Sequence, residues 1–174
     1  MRPAVLDDAA ALAVALARNR AYLRPWEPAR PEEYFTELGQ RSRLVHQLAQ
    51  RHAGHCMPWV LVMVDEARIV GGISLSKITL GPLRSAGVGY WIDSGWAGRG
   101  LATAAVEAAC RSALSDFALH RVEAGTLPDN LASQRVLEKA GFQQYGTAPE
   151  YLHVDGAWRD HRLYQRILHD GPPA

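Results

Sequence analysis

The stretch 88–106 constrains the fold more than any other, because it joins a strand, a glycine-rich turn and the start of a helix without interruption. β-Branched and aromatic residues alternate between Val88 and Ile92, which is typical of an extended and largely buried segment. A Ser-Gly pair at 94–95 then ends the alternation. From Leu101 onward, alanine, leucine and valine recur at helical spacing. The pattern predicts a helix that begins within the glycines of the turn.

The glycines of this turn, Gly98 and Gly100, lie where the predicted helix opens. The first four N–H groups of a helix have no partner inside the helix, and the helix dipole adds partial positive charge there. Glycine has no Cβ, so an anion can approach the backbone closely, and Arg99 supplies a full positive charge. The residues predicted to hold a pyrophosphate here are Gly98, Arg99, Gly100, Leu101, Ala102 and Thr103.

Other interpretations of the glycines compete with an anion site. A Gly-x-Gly is common in flexible turns that bind nothing. The nucleotide-binding motifs fit less well, because no Gly-Lys-Ser/Thr is present and Thr103 stands where a dinucleotide-binding fold needs a third glycine.

Along the whole chain the sequence carries signals for four helices and seven strands. The predicted helices are one that is capped by Asp7 or Asp8 and ends before Pro25, then 31–51, 98–117 and 130–141. The predicted strands are 58–64, 69–76, 88–92, 121–127, 142–147, 151–154 and 158–168. Tight turns are predicted at 65–68 and at Asp155-Gly156.

The strands at 88–92 and 121–127 are separated by a helix, so they should run parallel. If they splay apart, they leave a slot for the extended arm of a cofactor. The predicted fold is α+β, with a mixed, mostly antiparallel, twisted sheet, splayed central parallel strands, and helices on both faces.

At 174 residues the chain is long enough for one domain with a proper core, so we predict a single domain over 1–174 with 170–174 as a frayed tail. The net charge of +1 gives no general attraction to nucleic acid or to an anionic membrane, and neither is expected as a direct partner. The longest apolar run, 59–64, is too short to cross a bilayer, which predicts a cytoplasmic protein.

Metal-binding motifs are missing from the sequence. The two cysteines, Cys56 and Cys110, do not form a CxxC pair, and the seven histidines show no recognised ligand spacing. The sequence therefore predicts no metal site and no disulfide framework.

Asn130 and Ser133 are three residues apart at the start of a predicted helix, so they share one face. Asparagine is a preferred N-cap and serine is common in a first turn, so capping alone can explain the pair. Capping and contact with a ligand are nevertheless compatible.

The segment 23–31 carries three prolines, which exclude a continuous helix or a regular strand. It presents Trp26 and Glu27. A proline-stiffened segment of this kind can line a cleft, but the tryptophan can equally fill the core beside a solvated glutamate.

The sequence Ala-Gly-Arg-Gly-Leu-Ala at 97–102 resembles motif A of the GNAT (Gcn5-related) N-acetyltransferases, usually written Gln/Arg-x-x-Gly-x-Gly/Ala. The first motif position is Ala97, which removes one side-chain contact but leaves the backbone donors. The stretches 23–28, 89–92 and 127–142 resemble the RimJ/RimL-like group, which acetylates the N-termini of ribosomal proteins. The resemblance covers nearly the whole chain.

This resemblance implies an enzyme that passes acetyl directly from acetyl-CoA to a primary amine, without a metal or a covalent enzyme intermediate. It implies that Asn130 contacts the cofactor and that Ser133 protonates the departing thiolate. A backbone N–H of the central strand would stabilise the developing oxyanion, with Trp91 and Ile92 as the expected positions.

The general base is harder to assign, and Glu27 and Glu150 are the candidates, acting directly or through water. Deprotonating an α-amine near neutral pH costs about 1 kcal/mol, against roughly 4 to 5 for a lysine. The lack of an obvious base therefore favours an α-amine or another weakly basic amine as acceptor. Tyr151, Trp158 and Tyr164 can line a peptide groove, although strand aromatics often fill the core.

The predicted acceptor is the N-terminal α-amine of a protein, with ribosomal proteins as candidates. Two alternatives stay open: acetylation of a small-molecule amine, and a CoA-binding sensor without catalysis. The chain is expected to act as a monomer or a homodimer.

Overall fold

The computed structural model describes residues 1–63 and 68–172. Over this range the chain forms one sheet of seven strands and four α-helices. The strands are β1 (Arg2–Pro3), β2 (Cys56–Met63), β3 (Arg68–Thr79), β4 (Ser85–Ile92), β5 (Arg121–Thr126), β6 (Gln143–Val154) and β7 (Ala157–Ile167). The helices are α1 (Ala9–Leu23), α2 (Glu37–His52), α3 (Leu101–Phe117) and α4 (Leu131–Lys139).

The strand order across the sheet is β1-β2-β3-β4-β5-β7-β6. Strands β4 and β5 run parallel, as predicted from the helix between them, and the other neighbours are antiparallel. The described pairing of β4 with β5 covers only Ser85–Gly87 against Arg121–Glu123. Past these residues the two strands are no longer paired with each other, so they splay apart and open a gap in the middle of the sheet.

Helices cover both faces of the sheet. On one face, Leu12 of α1 and Leu44 of α2 pack with Val60 of β2. On the other face, Val106 of α3 packs with Val122 of β5 in the larger core cluster. Successive strand residues point to opposite faces, so one sheet serves both layers. The predicted fold class is confirmed.

The second helix starts later than predicted. Glu32–Phe35 form a separate 3₁₀ turn, and α2 begins after Thr36, whose hydroxyl accepts the amide N–H of Gly39 at 3.1 Å. A Ser/Thr side chain at this position satisfies a helix donor that has no intrahelical partner, which explains why the long helix begins here and not at Pro31.

The last part of the chain also differs from the prediction. The segments 142–147 and 151–154 belong to the one strand β6, whose pairing with β7 is irregular between Ala148 and Leu152. The tight turn at Asp155-Gly156 is confirmed, with φ of 44° and 84° as a two-residue hairpin requires.

Three predicted features fall partly outside the described residues, and the first is the strand predicted at 58–64, which is covered as far as Met63. The predicted turn at 65–68 is covered only at Arg68, and the predicted tail at 170–174 only as far as 172.

Candidate active site

The glycine turn leads into α3 with both glycines in the left-handed region. Gly98 has φ 75° and Gly100 has φ 79°, and a Cβ at either position would meet no atom within 4 Å. Glycine is needed here for the backbone conformation, since other residues rarely adopt it. The turn therefore presents bare backbone to solvent at the mouth of the helix, as the sequence predicted.

The amides of this turn point to an anion site. Within the described residues, the N–H groups from Gly98 to Thr103 donate to no carbonyl or side chain, whereas the amide of Ala104 already bonds the carbonyl of Gly100 at 3.0 Å. Free helix N-terminal donors attract negative charge. The Arg99 guanidinium stacks on the Trp96 ring, 4.5 Å from its centroid, which holds a positive charge beside the glycines.

A buried carboxylate fixes the entry to the turn. Asp93 accepts hydrogen bonds from the guanidinium of Arg18, from the side-chain amide of Asn19 at 3.0 Å and from the amide of Gly95 at 2.9 Å. Asn19 in turn accepts the amide of Ser94 at 2.8 Å. Burial alone would raise the pKa of Asp93, but these donors outweigh it and lower the pKa. Helix α1 is thus tied to the residues that lead into the glycine turn.

The gap beside β4 presents backbone donors from alternate residues. The amide of Asp93 donates across to the carbonyl of Val70 on β3, at 2.8 Å. Because hydrogen-bond direction alternates along a strand, the amide of Trp91 also faces β3, while those of Tyr90 and Ile92 face the gap. An oxyanion donor at Ile92 agrees with this geometry. One at Trp91 does not, because its N–H is directed into the β3 ladder.

Ser133 lies at the start of α4 and faces Tyr90 of β4. The side chain of Asn130 accepts the amide of Ser133 at 3.0 Å, so the predicted cap is formed. The hydroxyl of Ser133 lies 2.8 Å from the Tyr90 phenol oxygen, and the phenol also donates to the Ser133 carbonyl at 3.2 Å. Burial raises the pKa of Tyr90 to about 12, although the bond to Ser133 opposes the shift. This phenol stays protonated at any working pH.

A pocket of about 280 Å³ opens on the face of the sheet that α1 and α2 cover, and we call it the acceptor pocket. Glu27 lines it together with Arg30 and Arg43, and the Glu27 carboxylate lies 3.5 Å from the Arg30 guanidinium. Burial raises the pKa of Glu27, against the charges of Arg30 and Arg43. The proline-stiffened segment therefore brings a half-buried carboxylate to a cavity that β4 also lines through Gly89, Tyr90 and Trp91.

The remaining candidates separate in space. Glu150 is exposed, and its backbone amide bonds Asp160. Tyr164 is buried in the core, Trp158 is exposed on the hairpin, and Tyr151 lines a second cavity described below. Tyr151 is therefore the one of these three aromatic residues that lines a cavity.

Tyr90, Arg43 and Asp93 form part of this site but were not predicted from the sequence. Tyr90 sits in a strand pattern that looks like ordinary core, and its role appears only when α4 is placed beside it. The alternating pattern of β4 does not indicate that the Tyr90 hydroxyl has a polar partner on another element. Asp93 directly precedes the turn, which is the one hint that sequence offered.

Among the described residues, no cluster of three or more His, Cys, Asp or Glu side chains is placed to hold a metal ion. No helix in the described ranges is long and apolar enough to cross a membrane.

Comparison with known proteins gives the family. Residues 1–143 match the model of the Acetyltransferase (GNAT) domain. The [Ribosomal protein uS5]-alanine N-acetyltransferase of Escherichia coli is 35% identical over 166 residues, covering 95% of this chain and 86% of that protein.

Two solved structures are similar over nearly the whole fold. The ribosomal-protein-S5-alanine acetyltransferase of Vibrio fischeri superposes with a TM-score of 0.93 at 36% identity, covering 97% of this chain and 92% of that one. Mycobacterium smegmatis RimJ, solved in complex with CoA-disulfide, gives a TM-score of 0.90 at 34% identity, covering 95% and 80%. The chain belongs to the GNAT family of acetyltransferases, and it is an enzyme of that class.

Proposed function

We propose that this chain transfers acetyl from acetyl-CoA to the N-terminal α-amine of a protein, with a ribosomal protein that begins with alanine as the first candidate. Two of the relatives above are named for acetylating alanine of ribosomal protein S5, at 35% and 36% identity and with most of both chains covered. The observation that carries the proposal is the gap between β4 and β5, which has an anion-binding turn at one side and the acceptor pocket at the other.

The glycine turn fits the pyrophosphate of acetyl-CoA. Its amides have no acceptor within the described chain, and its glycines leave open space where a side chain would stand. Gly98, Gly100 and the amides from Leu101 to Thr103 would hold the diphosphate, with Arg99 beside it. The Asn130 side chain would contact the arm of the same molecule. Acetyl-CoA supplies the activated thioester.

The geometry supports direct transfer. The amine nitrogen attacks the thioester carbonyl carbon, and the amide of Ile92, which faces the gap, stabilises the charge on the carbonyl oxygen. The carbon–sulfur bond then breaks and the sulfur leaves with the electron pair. Ser133 gives the sulfur its hydroxyl proton and is reprotonated from solvent through Tyr90.

Glu27 is the general base in this proposal. It lies in the acceptor pocket, and its raised pKa brings it closer to that of the amine it has to deprotonate. A carboxylate is still a weak base, which suits an α-amine with a pKa near 8 better than a lysine.

The rival is acetylation of a small amine such as an amino acid. The observation that favours it is the size of the acceptor pocket, which at about 280 Å³ is at the lower end for ligand sites. A sensor that binds CoA without transferring acetyl is disfavoured, because the chain belongs to a family of acetyltransferases.

The test compares acceptors directly. The purified chain is incubated with acetyl-CoA and either unacetylated ribosomal protein S5 or a panel of free amino acids and polyamines, and products are identified by mass spectrometry. We expect a mass gain of one acetyl group on the N-terminal residue of the protein. If only the small amines are acetylated, the protein acceptor is wrong and the enzyme is a small-amine acetyltransferase.

A further inference from the structure

A second pocket of about 360 Å³ adjoins the acceptor pocket on the same face of the sheet, and we call it the hairpin pocket. Its walls include Tyr145 and Tyr151 of β6 and Glu123 of β5. Both pockets are lined by Gly89 of β4.

Strand register explains why Gly89 stands between the pockets. Gly89 pairs with Ser74, which lines the acceptor pocket, while the next residue pair on this face joins Gly87 to Ser76, and both of these line the hairpin pocket. A side chain at position 89 would point to this face, because it shares the face with Trp91 two residues on. It would therefore project into the junction of the pockets.

The backbone does not require glycine at this position. Gly89 is absent from the residues with positive φ, and a Cβ built on it would meet nothing within 4 Å. It is also exposed. Gly98 and Gly100 are glycines for conformational reasons, whereas at Gly89 the missing side chain leaves open space where the two pockets meet.

We propose that Gly89 determines acceptor specificity by joining the two pockets, so that a polypeptide places its first residue in the acceptor pocket and its next residues in the hairpin pocket. This inference rests on the proposed function. An extended chain advances about 3.3 to 3.6 Å per residue, so a substrate of several residues has to leave the first pocket by some path. Each pocket alone is close to the lower limit of about 300 Å³ for ligand sites, and the joined pair lies well within the usual range.

The carboxylate in the hairpin pocket is already bonded to other groups of the protein. The Glu123 carboxylate already accepts from Tyr145 at 2.9 Å and from Ser85 at 3.1 Å, and it pairs with Arg121 at 3.1 Å. These partners neutralise it, so it is not available to bind a cation from the substrate. The aromatic surface of Tyr151, the Lys77 side chain and backbone groups also line the pocket and can contact a peptide.

The test is a comparison of acceptor lengths in Gly89→Val. The wild-type enzyme is measured with alanine amide, which fills only the first pocket, and with a tetrapeptide amide that begins with alanine. We expect kcat/KM to be at least about tenfold higher for the tetrapeptide. In Gly89→Val the ratio of kcat/KM for the tetrapeptide to kcat/KM for alanine amide should fall to about one, while the KM for acetyl-CoA stays within about twofold of wild type.

Gly146→Val is the matched control. Gly146 is also a strand glycine without positive φ, a Cβ there meets nothing within 4 Å, and it lines neither pocket. It should leave both acceptors unaffected, and thermal unfolding of both variants checks that they are folded.

The outcomes separate the inference from the function it rests on. If kcat/KM for the tetrapeptide is unchanged in Gly89→Val, or if kcat/KM falls equally for both acceptors, the proposal that Gly89 joins the two pockets is wrong. If the wild-type enzyme already treats alanine amide and the tetrapeptide alike, the hairpin pocket takes no part in acceptor binding. If it acetylates neither but does acetylate other small amines, it is the proposed function that fails.

Discussion

The phenol oxygen of Tyr90 lies 2.8 Å from the hydroxyl oxygen of Ser133, which links the central strand to the first turn of α4. The same phenol reaches the Ser133 carbonyl at 3.2 Å. A phenol has one hydrogen, so it can donate to the carbonyl while it accepts from the serine, or donate to the serine hydroxyl. In the second arrangement the serine hydrogen is free to reach a leaving sulfur. Tyr90 thus sets the direction of the Ser133 hydroxyl.

Removing either hydroxyl should slow turnover more than it weakens binding. We expect Ser133→Ala to lower kcat about 10²-fold, which is the scale of a lost proton donor, and Tyr90→Phe to lower it about tenfold. The KM for acetyl-CoA should change little in either variant, because the diphosphate contacts remain. Steady-state kinetics with a fixed peptide acceptor measure both quantities.

Ser42→Ala serves as the control, since Ser42 lies exposed on α2. If Ser133→Ala turns over acetyl-CoA at the wild-type rate, Ser133 is not the general acid. The proposed role of Tyr90 in orienting and reprotonating Ser133 is then also wrong.

The glycine turn provides a prediction with an internal comparison. Gly100→Ala and Gly156→Ala both force an alanine into a left-handed φ, at 79° and 84°. Each should cost about 1 to 2 kcal/mol of unfolding free energy, or a few degrees in Tm. Only Gly100→Ala should also weaken CoA binding, because, of the two turns, only that one opens a helix. Calorimetric titration with CoA and thermal unfolding measure the two effects. Equal CoA affinity in both variants would contradict binding of the diphosphate at the glycine turn.

Much of the fold was predictable from local signals. The glycine turn, the helix after it and the cap by Asn130 follow from residue types at fixed spacing, and the parallel pair follows from the helix between its strands. Element boundaries were harder to predict where a capping residue starts a helix inside a longer stretch with helical spacing. Thr36 illustrates this, because its hydroxyl starts α2 within a stretch that looks helical from Pro31.

The site was less predictable, because its key relationships join residues that are distant in the sequence. Tyr90 and Ser133 are 43 residues apart, and Arg18 and Asp93 are 75 apart. No periodicity in one segment can show such pairs. The direction of the Trp91 amide likewise depends on which neighbour strand it bonds, which the sequence leaves open.

The buried carboxylate of Asp93 should stabilise the fold in a pH-dependent way. Its donors lower its pKa below the value in the unfolded chain, so its contribution is present above the unfolded pKa and is lost as pH falls through the folded pKa. Asp93→Asn should cost on the order of 3 kcal/mol near neutral pH, since it leaves Arg18 without its partner. The loss should shrink in strongly acidic buffer. Denaturant unfolding at neutral and acidic pH measures this, and a loss of equal size at both would contradict the ionised state of Asp93.

Glu27 gives the pH dependence of the reaction. A base acts only when it is ionised, so kcat/KM should fall as pH drops through the raised pKa of Glu27, in addition to the fall caused by protonation of the α-amine. With both groups protonated, the logarithm of kcat/KM should drop with a slope of about two against pH, and with a slope of about one in Glu27→Gln. The same variant should lose about 10²-fold in kcat/KM at neutral pH.

Arg30→Gln should move the part of the pH profile that reports Glu27 to higher pH, because the nearby cation opposes the rise in the pKa of Glu27. Glu32→Gln, which removes an exposed carboxylate of the 3₁₀ turn that follows this segment, should leave the profile unchanged. If Glu27→Gln retains the slope of two, the proton is taken by another group or by water.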